Sequence, residues 1–165
     1  MRVLVVDDSA FMRKVITKMV NSDPKLTVVG TAFDGLNALK KISQLNPDVI
    51  TLDVNMPRMD GLRTLKEIMK RNPVPVVMVS ATTQEGAEIT FRALKLGAVD
   101  YIQKPSGQIS LDIETVRNEL VNKIKTAADA NIVTHKRATC SPIKIKQNFT
   151  DRIITIGAST GGPPA

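Results

Sequence analysis

The sequence predicts an α/β fold in which parallel strands are covered by helices on both faces. Five short apolar segments have the length of buried strands, near residues 2–6, 26–31, 48–52, 75–79 and 99–103. They alternate with five segments of helical periodicity, near residues 9–21, 34–45, 60–71, 83–96 and 110–128. Strict alternation is typical of a doubly wound parallel sheet with right-handed crossovers. Five strands favour the flavodoxin-like order 2-1-3-4-5, whose switch point lies between the first and third strands.

Local patterns support these elements. The first and third strands are continuous apolar runs, as expected for strands that are buried on both faces of the sheet. In the first helix, apolar side chains recur at helical spacing, at Phe11, Met12, Val15, Ile16, Met19 and Val20. Turn-forming residues separate the segments, at Ser22-Asp23-Pro24, Asn46-Pro47, Asn72-Pro73 and Ser106-Gly107.

The alternating pattern ends near residue 128. We expect one domain over residues 1–126 and a linker over residues 127–150, because residues 134–150 mix Lys, Thr, Ser and Pro without sustained periodicity. A strand-like run then returns at Arg152-Ile153-Ile154-Thr155-Ile156, followed by a glycine-rich turn. We expect residues 151–165 to be the truncated start of a second α/β domain.

Composition narrows the class of protein. The hydrophobic share of 42% is ordinary for a globular protein, and no apolar run approaches the ~20 residues that span a bilayer. The single Cys140 excludes an internal disulfide framework, and the early acids exclude a secretory signal, so we expect a cytoplasmic protein. The net charge is +7, but the basic residues after residue 130 are scattered and do not alternate with aromatic residues. We therefore expect no nucleic-acid partner and no membrane insertion.

Four strands end on polar side chains that can do chemistry. Asp7 and Asp8 follow the first strand, Asp53 ends the third, Ser80 ends the fourth and Lys104 follows the fifth. The carboxyl edge of an open parallel sheet is where ligands bind, so we expect these side chains to meet there. A purely local role is the alternative, in which Asp8 or Ser9 caps the first helix.

Such a cluster suits the transfer of a phosphoryl group. Ionised carboxylates ~4 Å apart repel each other by about 4 kcal/mol at an effective dielectric of 20, so three of them need a cation or a proton. Oxygen ligands at a partly open site suit Mg²⁺. Lys104 and Ser80 would add a positive charge and a hydrogen-bond donor for the phosphoryl oxygens, with a carboxylate as the nucleophile.

These residues, together with Asp53-Val54-Asn55-Met56-Pro57-Arg58-Met59-Asp60-Gly61 and Lys104-Pro105, resemble a two-component response-regulator receiver domain. The resemblance implies that a histidine kinase phosphorylates Asp53. It also implies that Asp8, Asp53 and the backbone carbonyl of Asn55 bind Mg²⁺, with Asp7 assisting through water. Ser80 and Tyr101 would be the switch pair, and the Lys104-Pro105 bond would be cis.

The glycine-rich turn refines this resemblance. Gly157-Ala158-Ser159-Thr160-Gly161 fits Gly-x-Ser-x-Gly after a strand, a turn that exposes a serine nucleophile but also occurs in phosphate sites. With the preceding receiver and linker it resembles the chemotaxis protein-glutamate methylesterases, as do residues 3–13 and 85–90. The resemblance implies that Ser159 attacks methyl esters of chemoreceptor glutamates, and that the unphosphorylated receiver inhibits its own methylesterase domain.

We expect the 165-residue chain itself to lack esterase activity, because a serine without its His and Asp partners is a poor nucleophile and His135 lies in the linker. Three other functions are open. The first is a stand-alone receiver that binds a partner when phosphorylated. The second is an aspartate-nucleophile phosphatase, although Asp53-Val54-Asn55 lacks the second carboxylate of Asp-x-Asp. The third is a transcription factor, for which no DNA-binding pattern is present.

Overall fold

The computed structural model describes residues 1–80, 86–104 and 112–130. Within these residues, five strands alternate with five helices, as the sequence predicts. The elements are β1 (Arg2–Val6), α1 (Ala10–Asn21), β2 (Thr27–Ala32), α2 (Gly35–Leu45), β3 (Val49–Asp53), α3 (Gly61–Arg71), β4 (Val76–Ser80), α4 (Gly86–Lys95), β5 (Asp100–Gln103) and α5 (Asp112–Asp129). The observed bounds differ from the predicted ones by at most three residues.

The sheet has the order β2-β1-β3-β4-β5 and all its strands are parallel, which confirms the predicted flavodoxin-like topology. The register brings the carboxyl ends of the strands together. Val6 of β1 lies opposite Leu52 of β3, so the acids that follow these two residues are neighbours. Asp53 in turn lies opposite Val79, one residue before Ser80.

Each face of the sheet has its own hydrophobic core because side chains alternate along a strand. In β1, Leu4 and Val6 belong to the cluster with α2, α3 and α4, whereas Val3 and Val5 belong to the cluster with α1 and α5. All four of these side chains are fully or almost fully buried. Both faces of the central strands are therefore covered, which explains their mostly apolar sequences.

Helices α1, α2 and α3 begin with the same device, a side-chain oxygen that accepts a hydrogen bond from a backbone N–H three residues later. The capping residues are Ser9, Asp34 and Asp60. Ser9, and not Asp8, therefore caps α1. A cap of this kind contributes about 1 kcal/mol to stability. It also starts each of these helices near the carboxyl edge of the sheet.

Helices α1 and α4 each expose large apolar side chains. Phe11 shares the helical period of α1, but it is 67% exposed and contributes little to the core. The sequence alone does not show whether Ile89, Phe91 and Leu94 of α4 face the core or the solvent. Ile89 packs against the core, whereas Phe91 and Leu94 are exposed. None of the described helices is both long and apolar enough to cross a bilayer.

Candidate acidic site at the carboxyl edge of the sheet

Three carboxylates predicted to converge do so. Asp7, Asp8 and Asp53 each offer an oxygen atom, and these atoms lie within 4.8 Å of one another. Asp7 and Asp53 are buried and Asp8 is exposed. The arrangement follows from the topology, because β1 and β3 are adjacent and parallel and both end at this point. Closely spaced carboxylates repel one another, so they require a positive charge nearby.

Lys104 supplies one positive charge. Its Nζ atom lies 2.8 Å from Asp7 Oδ2 and 2.9 Å from Asp53 Oδ2. The backbone fixes its position, since the Lys104 N–H donates a hydrogen bond to the carbonyl of Ser80 at 2.7 Å. With three acids and one lysine ionised, the cluster still carries a net negative charge, so a further cation would be favoured there.

The surroundings shift the pKa values of this cluster. Burial raises the pKa of Asp53, and the neighbouring Asp7 raises it further, while the hydrogen bond from Lys104 acts in the opposite direction. Burial acts to lower the pKa of Lys104, but its bonds to Asp7 and Asp53 outweigh that effect and raise it. Lys104 is therefore a permanent cation near neutral pH, whereas Asp53 loses its proton less readily than an exposed aspartate.

Backbone contacts hold the two buried carboxylates in place. The N–H of Ser9 donates to Asp7 Oδ1 at 2.9 Å, and the N–H of Asn55 donates to Asp53 Oδ1 at 3.3 Å. Hydrogen bonds of this kind to a carboxylate are charge-assisted and orient it. Asn55 thus lies in the loop that leaves Asp53, as predicted, although its own role as a metal ligand is not tested by these contacts.

Sequence analysis did not identify two residues that support the site. Arg13 of α1 donates hydrogen bonds to the carbonyls of Asp7 and Asp8, at 2.8 and 2.9 Å, and so fixes the loop that carries both acids. Gly61 begins α3 against the backbone of Asp53, where an added Cβ atom would lie 2.1 Å from the Asp53 carbonyl oxygen. The Asp-Gly pair at residues 60 and 61 was a visible signal for a close approach; nothing local marked Arg13.

The predicted switch residues lie near the site. Ser80 is buried at the end of β4, next to the residue that pairs with Asp53. Tyr101 is half-buried on β5, packs against the core cluster of α2, α3 and α4, and lies opposite Met78. These positions bring Ser80 to the acidic edge and place Tyr101 on the neighbouring strand. Their role as a switch remains a prediction.

Several other predictions concern residues outside the described ranges. They are the cis bond at Pro105, the linker with His135, and Ser159 with the proposed start of a second domain. The predicted boundary between a domain and a linker at residues 126 and 127 also remains a prediction.

Comparison with known proteins identifies the family of the domain. Residues 3–116 match the family model described as the response regulator receiver domain. The chain is 54% identical over 181 residues to a protein-glutamate methylesterase/protein-glutamine glutaminase from Symbiobacterium thermophilum, covering 99% of this chain and 50% of that protein. A protein of the same name from Halalkalibacterium halodurans is 56% identical over 167 residues, covering 99% and 48%. The chain therefore spans about half the length of these curated relatives.

Solved structures agree with these relatives. The response regulator domain of Thermotoga maritima CheB has 53% sequence identity and a TM-score of 0.72, covering 79% of this chain and 98% of that one. The CheX–CheY–BeF3–Mg²⁺ complex from Borrelia burgdorferi has 32% identity and a TM-score of 0.63, covering 76% and 87%. The chain therefore belongs to the response regulator receiver domain family, and its receiver is of the type found in the methylesterase CheB.

Proposed function

We propose that this receiver is the phosphorylation-controlled regulatory part of a cytoplasmic chemotaxis protein-glutamate methylesterase, and that a histidine kinase phosphorylates it on Asp53. The observation that carries the proposal is the position of Asp53 among Asp7, Asp8 and Lys104. Asp53 ends the central strand β3, between β1 and β4, so a phosphoryl group there would meet side chains from both neighbouring strands. Asp8 is exposed, and Asp7 lies one strand closer to the edge of the sheet.

The donor set fits a magnesium ion. Mg²⁺ binds oxygen ligands at ~2.0–2.1 Å, so opposite ligands are about 4 Å apart, comparable with the spacing in this cluster. The carboxylates of Asp8 and Asp53 and the carbonyl of Asn55 would hold the ion, with Asp7 acting through water. The ion would neutralise the oxygens of the incoming phosphoryl group. The related CheX–CheY complex contains Mg²⁺ and BeF3, which supports this assignment.

The protein's own residues account for the rest of the transfer. A carboxylate oxygen of Asp53 attacks the phosphorus atom, and the bond between phosphorus and the donor imidazole breaks. The Lys104 ammonium, already bound to Asp53, pairs with a phosphoryl oxygen, and the Ser80 hydroxyl donates to another. Asp53 then carries a charge near −2 in place of −1. The Lys104 ammonium, which pairs with Asp7 and Asp53 before the transfer, then pairs with Asp7 and the phosphoryl group.

That redistribution is the basis of the proposed switch. In the proposed switch, the Ser80 hydroxyl moves to the phosphoryl group and Tyr101 turns inward, which repacks the face formed by α4, β5 and α5. Phe91 and Leu94 are 57% and 45% exposed on α4, so this face has apolar side chains for a partner. Its partner would be the chain's own methylesterase domain, which the unphosphorylated receiver inhibits.

The proposed output follows from the relatives' names. The enzyme would hydrolyse methyl esters of glutamate in methyl-accepting chemoreceptors, with deamidation of glutamine as a second activity, and Ser159 would be its nucleophile. The 165 residues lack the His and Asp partners of such a serine, so we expect this chain alone to hydrolyse no methyl ester above the buffer rate.

The phosphorylation step can be tested by incubating the chain with acetyl phosphate and Mg²⁺ and locating the modification by mass spectrometry. We expect one phosphoryl group on Asp53, absent in Asp53→Asn and without Mg²⁺. The matched control is Asp100→Asn, a strand aspartate outside the acidic site, which we expect to be modified like the wild type. Modification that persists in Asp53→Asn would contradict the assignment of the acceptor.

A further inference from the structure

Asp34 is a buried carboxylate that the proposed reaction does not use. It lies in the turn between β2 and α2 and is 0% exposed. One of its oxygens, Oδ1, caps α2 by accepting a hydrogen bond from the Asn37 N–H at 2.7 Å. A buried carboxylate requires a charged partner for its other oxygen. That partner identifies a contact between two loops of the domain.

The partner is Arg58, from the loop between β3 and α3. Its guanidinium forms an ion pair with Asp34 Oδ2, and its Cζ atom lies 5.2 Å from the centre of the Phe33 ring. A planar guanidinium can bind a carboxylate and stack on a ring at the same time, which an ammonium group does less well. We call Phe33, Asp34 and Arg58 the corner clamp.

The backbone of Arg58 shows that the clamp opposes local strain. Its φ angle is 65°, a left-handed conformation that is unfavourable for a non-glycine residue. The N–H of Met59 donates to the carbonyl of Pro57 at 2.7 Å, so Arg58 is the central residue of a tight three-residue turn. Such a conformation persists only where surrounding contacts hold it, and here Arg58 is held by Phe33 and Asp34, in the turn before α2.

The loop and α2 also pack closely against each other. A Cβ atom added to Gly35 would lie 2.8 Å from Met59 Cγ and 2.0 Å from Thr64 Oγ1. The β3–α3 loop therefore rests directly on the first turn of α2. The same loop contains Asn55, three residues before Arg58, and it leaves the sheet at Asp53.

The turn between β2 and α2 contacts both of the segments that carry the acidic site, the one after β1 and the one after β3. On one side, the carbonyl of Ala32 accepts a hydrogen bond from the Asp7 N–H at 3.1 Å. On the other side, Asp34 binds Arg58 of the loop that carries Asn55. The turn between β2 and α2 therefore fixes the position of the segment after β1 relative to the segment after β3.

We propose that the corner clamp positions the β3–α3 loop for cation binding, with Arg58 as a positioning residue that acts through Asp53 and Asn55. The inference rests on the proposed function, since the cation concerned is the Mg²⁺ of the acidic site. Groups that orient metal ligands from outside the ligand set typically change metal affinity by about tenfold or more when they are removed. The clamp is therefore expected to raise the affinity for Mg²⁺ as well as the stability of the fold.

The main test compares the Mg²⁺ affinity of the wild type with that of Arg58→Asn, by titration of ¹⁵N-labelled protein followed by NMR. Asparagine tolerates the left-handed backbone but carries no charge to pair with Asp34, so the variant removes the clamp without adding strain. We expect about tenfold weaker binding of Mg²⁺. Arg58→Lys keeps the charge and loses the planar fork, so we expect an intermediate affinity.

Two further variants separate positioning from general stability. Arg63→Asn removes an exposed arginine paired with Asp60 at the start of α3, and we expect its Mg²⁺ affinity to stay within about twofold of the wild type. Asp34→Asn retains a capping oxygen. We expect the double variant Asp34→Asn/Arg58→Asn to bind Mg²⁺ as weakly as Arg58→Asn alone, because both changes break the same contact.

The outcomes are distinguishable. Wild-type affinity in Arg58→Asn, or losses that multiply in the double variant, would overturn the clamp and leave the proposed function intact. A wild-type chain that does not bind Mg²⁺ would overturn the proposed function and the clamp with it. If Arg58→Asn does not fold at the titration temperature, Arg58→Lys decides the question, since an affinity equal to that of the wild type would also overturn the clamp.

Discussion

Two lysines of this receiver each lie between two carboxylates, but they do so in different surroundings. Lys104 contacts Asp7 and Asp53 at 2.8 and 2.9 Å, and both of these carboxylates are almost completely shielded from solvent. Lys123 of α5 also has two carboxylate partners, at 3.2 and 3.1 Å, but they are 42% and 49% exposed. Because the distances are similar, the two clusters differ mainly in their access to water.

The surface cluster has a structural role. Lys123 bridges Asp100 of β5 and Glu119 on its own helix, and it also donates a hydrogen bond to the carbonyl of Tyr101. Asp100 accepts a hydrogen bond from the N–H of Tyr101 at 2.7 Å. These contacts satisfy the backbone of an edge strand and attach α5 to it. Water can replace each of them, so their net contribution to stability is small.

Water cannot replace the contacts of the buried cluster, which Lys104 forms with Asp7 and Asp53. Removing one partner of a buried ion pair leaves a charge without compensation, which destabilises a protein by about 3–5 kcal/mol. The repulsion between Asp7 and Asp53 also remains whenever both are ionised. The comparison indicates that burial strengthens both the lysine–carboxylate attraction and the repulsion between the carboxylates, so an added cation would be favoured at the buried cluster.

The largest expected effect is that of Lys104→Met. We expect it to lower the free energy of unfolding by about 3 kcal/mol at neutral pH, because Asp7 and Asp53 lose their cation. The matched variant Lys123→Met should lower it by at most about 0.5 kcal/mol. Urea denaturation followed by circular dichroism measures both values. Equal losses in the two variants would show that burial does not distinguish the clusters.

A smaller effect of opposite sign is expected for Asp53→Asn. The variant removes one of two buried like charges and keeps a side chain of the same shape, so we expect the free energy of unfolding to rise by about 1 kcal/mol at neutral pH. Asp100→Asn is the control in the surface cluster and should change stability by less than about 0.5 kcal/mol. A destabilised Asp53→Asn would mean that its bond to Lys104 outweighs the repulsion by Asp7.

The gain in Asp53→Asn should depend on pH in a defined direction. Burial raises the pKa of Asp53 above its ordinary value of 3.8, so the folded chain holds this proton to higher pH than the unfolded chain does. Protonation of Asp53 therefore stabilises the folded wild type. This contribution is complete below about pH 3.8 and is lost as the pH rises through the folded-state pKa. Asparagine does not titrate. Asp53→Asn should therefore become more stable than the wild type as the pH rises from about 3.8 through the folded-state pKa of Asp53. Urea denaturation at several pH values checks the direction.

The buried cluster was largely predictable from sequence, and the reason is topological. An apolar run that stops at a carboxylate marks both the end of a strand and the position of a polar group at the sheet edge. The order 2-1-3-4-5, which five alternating strands favour, then places the ends of the first and third strands side by side. Asp7, Asp53 and Lys104 could therefore be brought together without coordinates, even though they lie at the ends of three different strands.

The surface cluster and the corner clamp were not predictable in this way. Asp34 and Arg58 are 24 residues apart, and their contact depends on how α2 rests on the β3–α3 loop. Their sequence neighbours only indicate a helix cap and a turn. Similarly, Ile89 and Phe91 lie on opposite sides of α4, and because both sides carry apolar residues the sequence does not show which side faces the core. Contacts between loops and helices require the packing geometry, which local sequence patterns do not contain.

The smallest expected effect separates the clusters by their response to salt. At about 1 M NaCl the Debye length is about 3 Å, so charges in contact with water are almost fully screened, whereas buried charges are not. We expect the small loss of stability in Lys123→Met to disappear in high salt, because its exposed partners are then screened in the wild type as well. The loss in Lys104→Met should persist, since Asp7 and Asp53 remain shielded from the salt solution. Urea denaturation of both variants with and without NaCl measures the two responses. A loss in Lys104→Met that vanishes in salt would mean that ions reach the acidic site in solution, and the contrast between buried and exposed clusters would not hold.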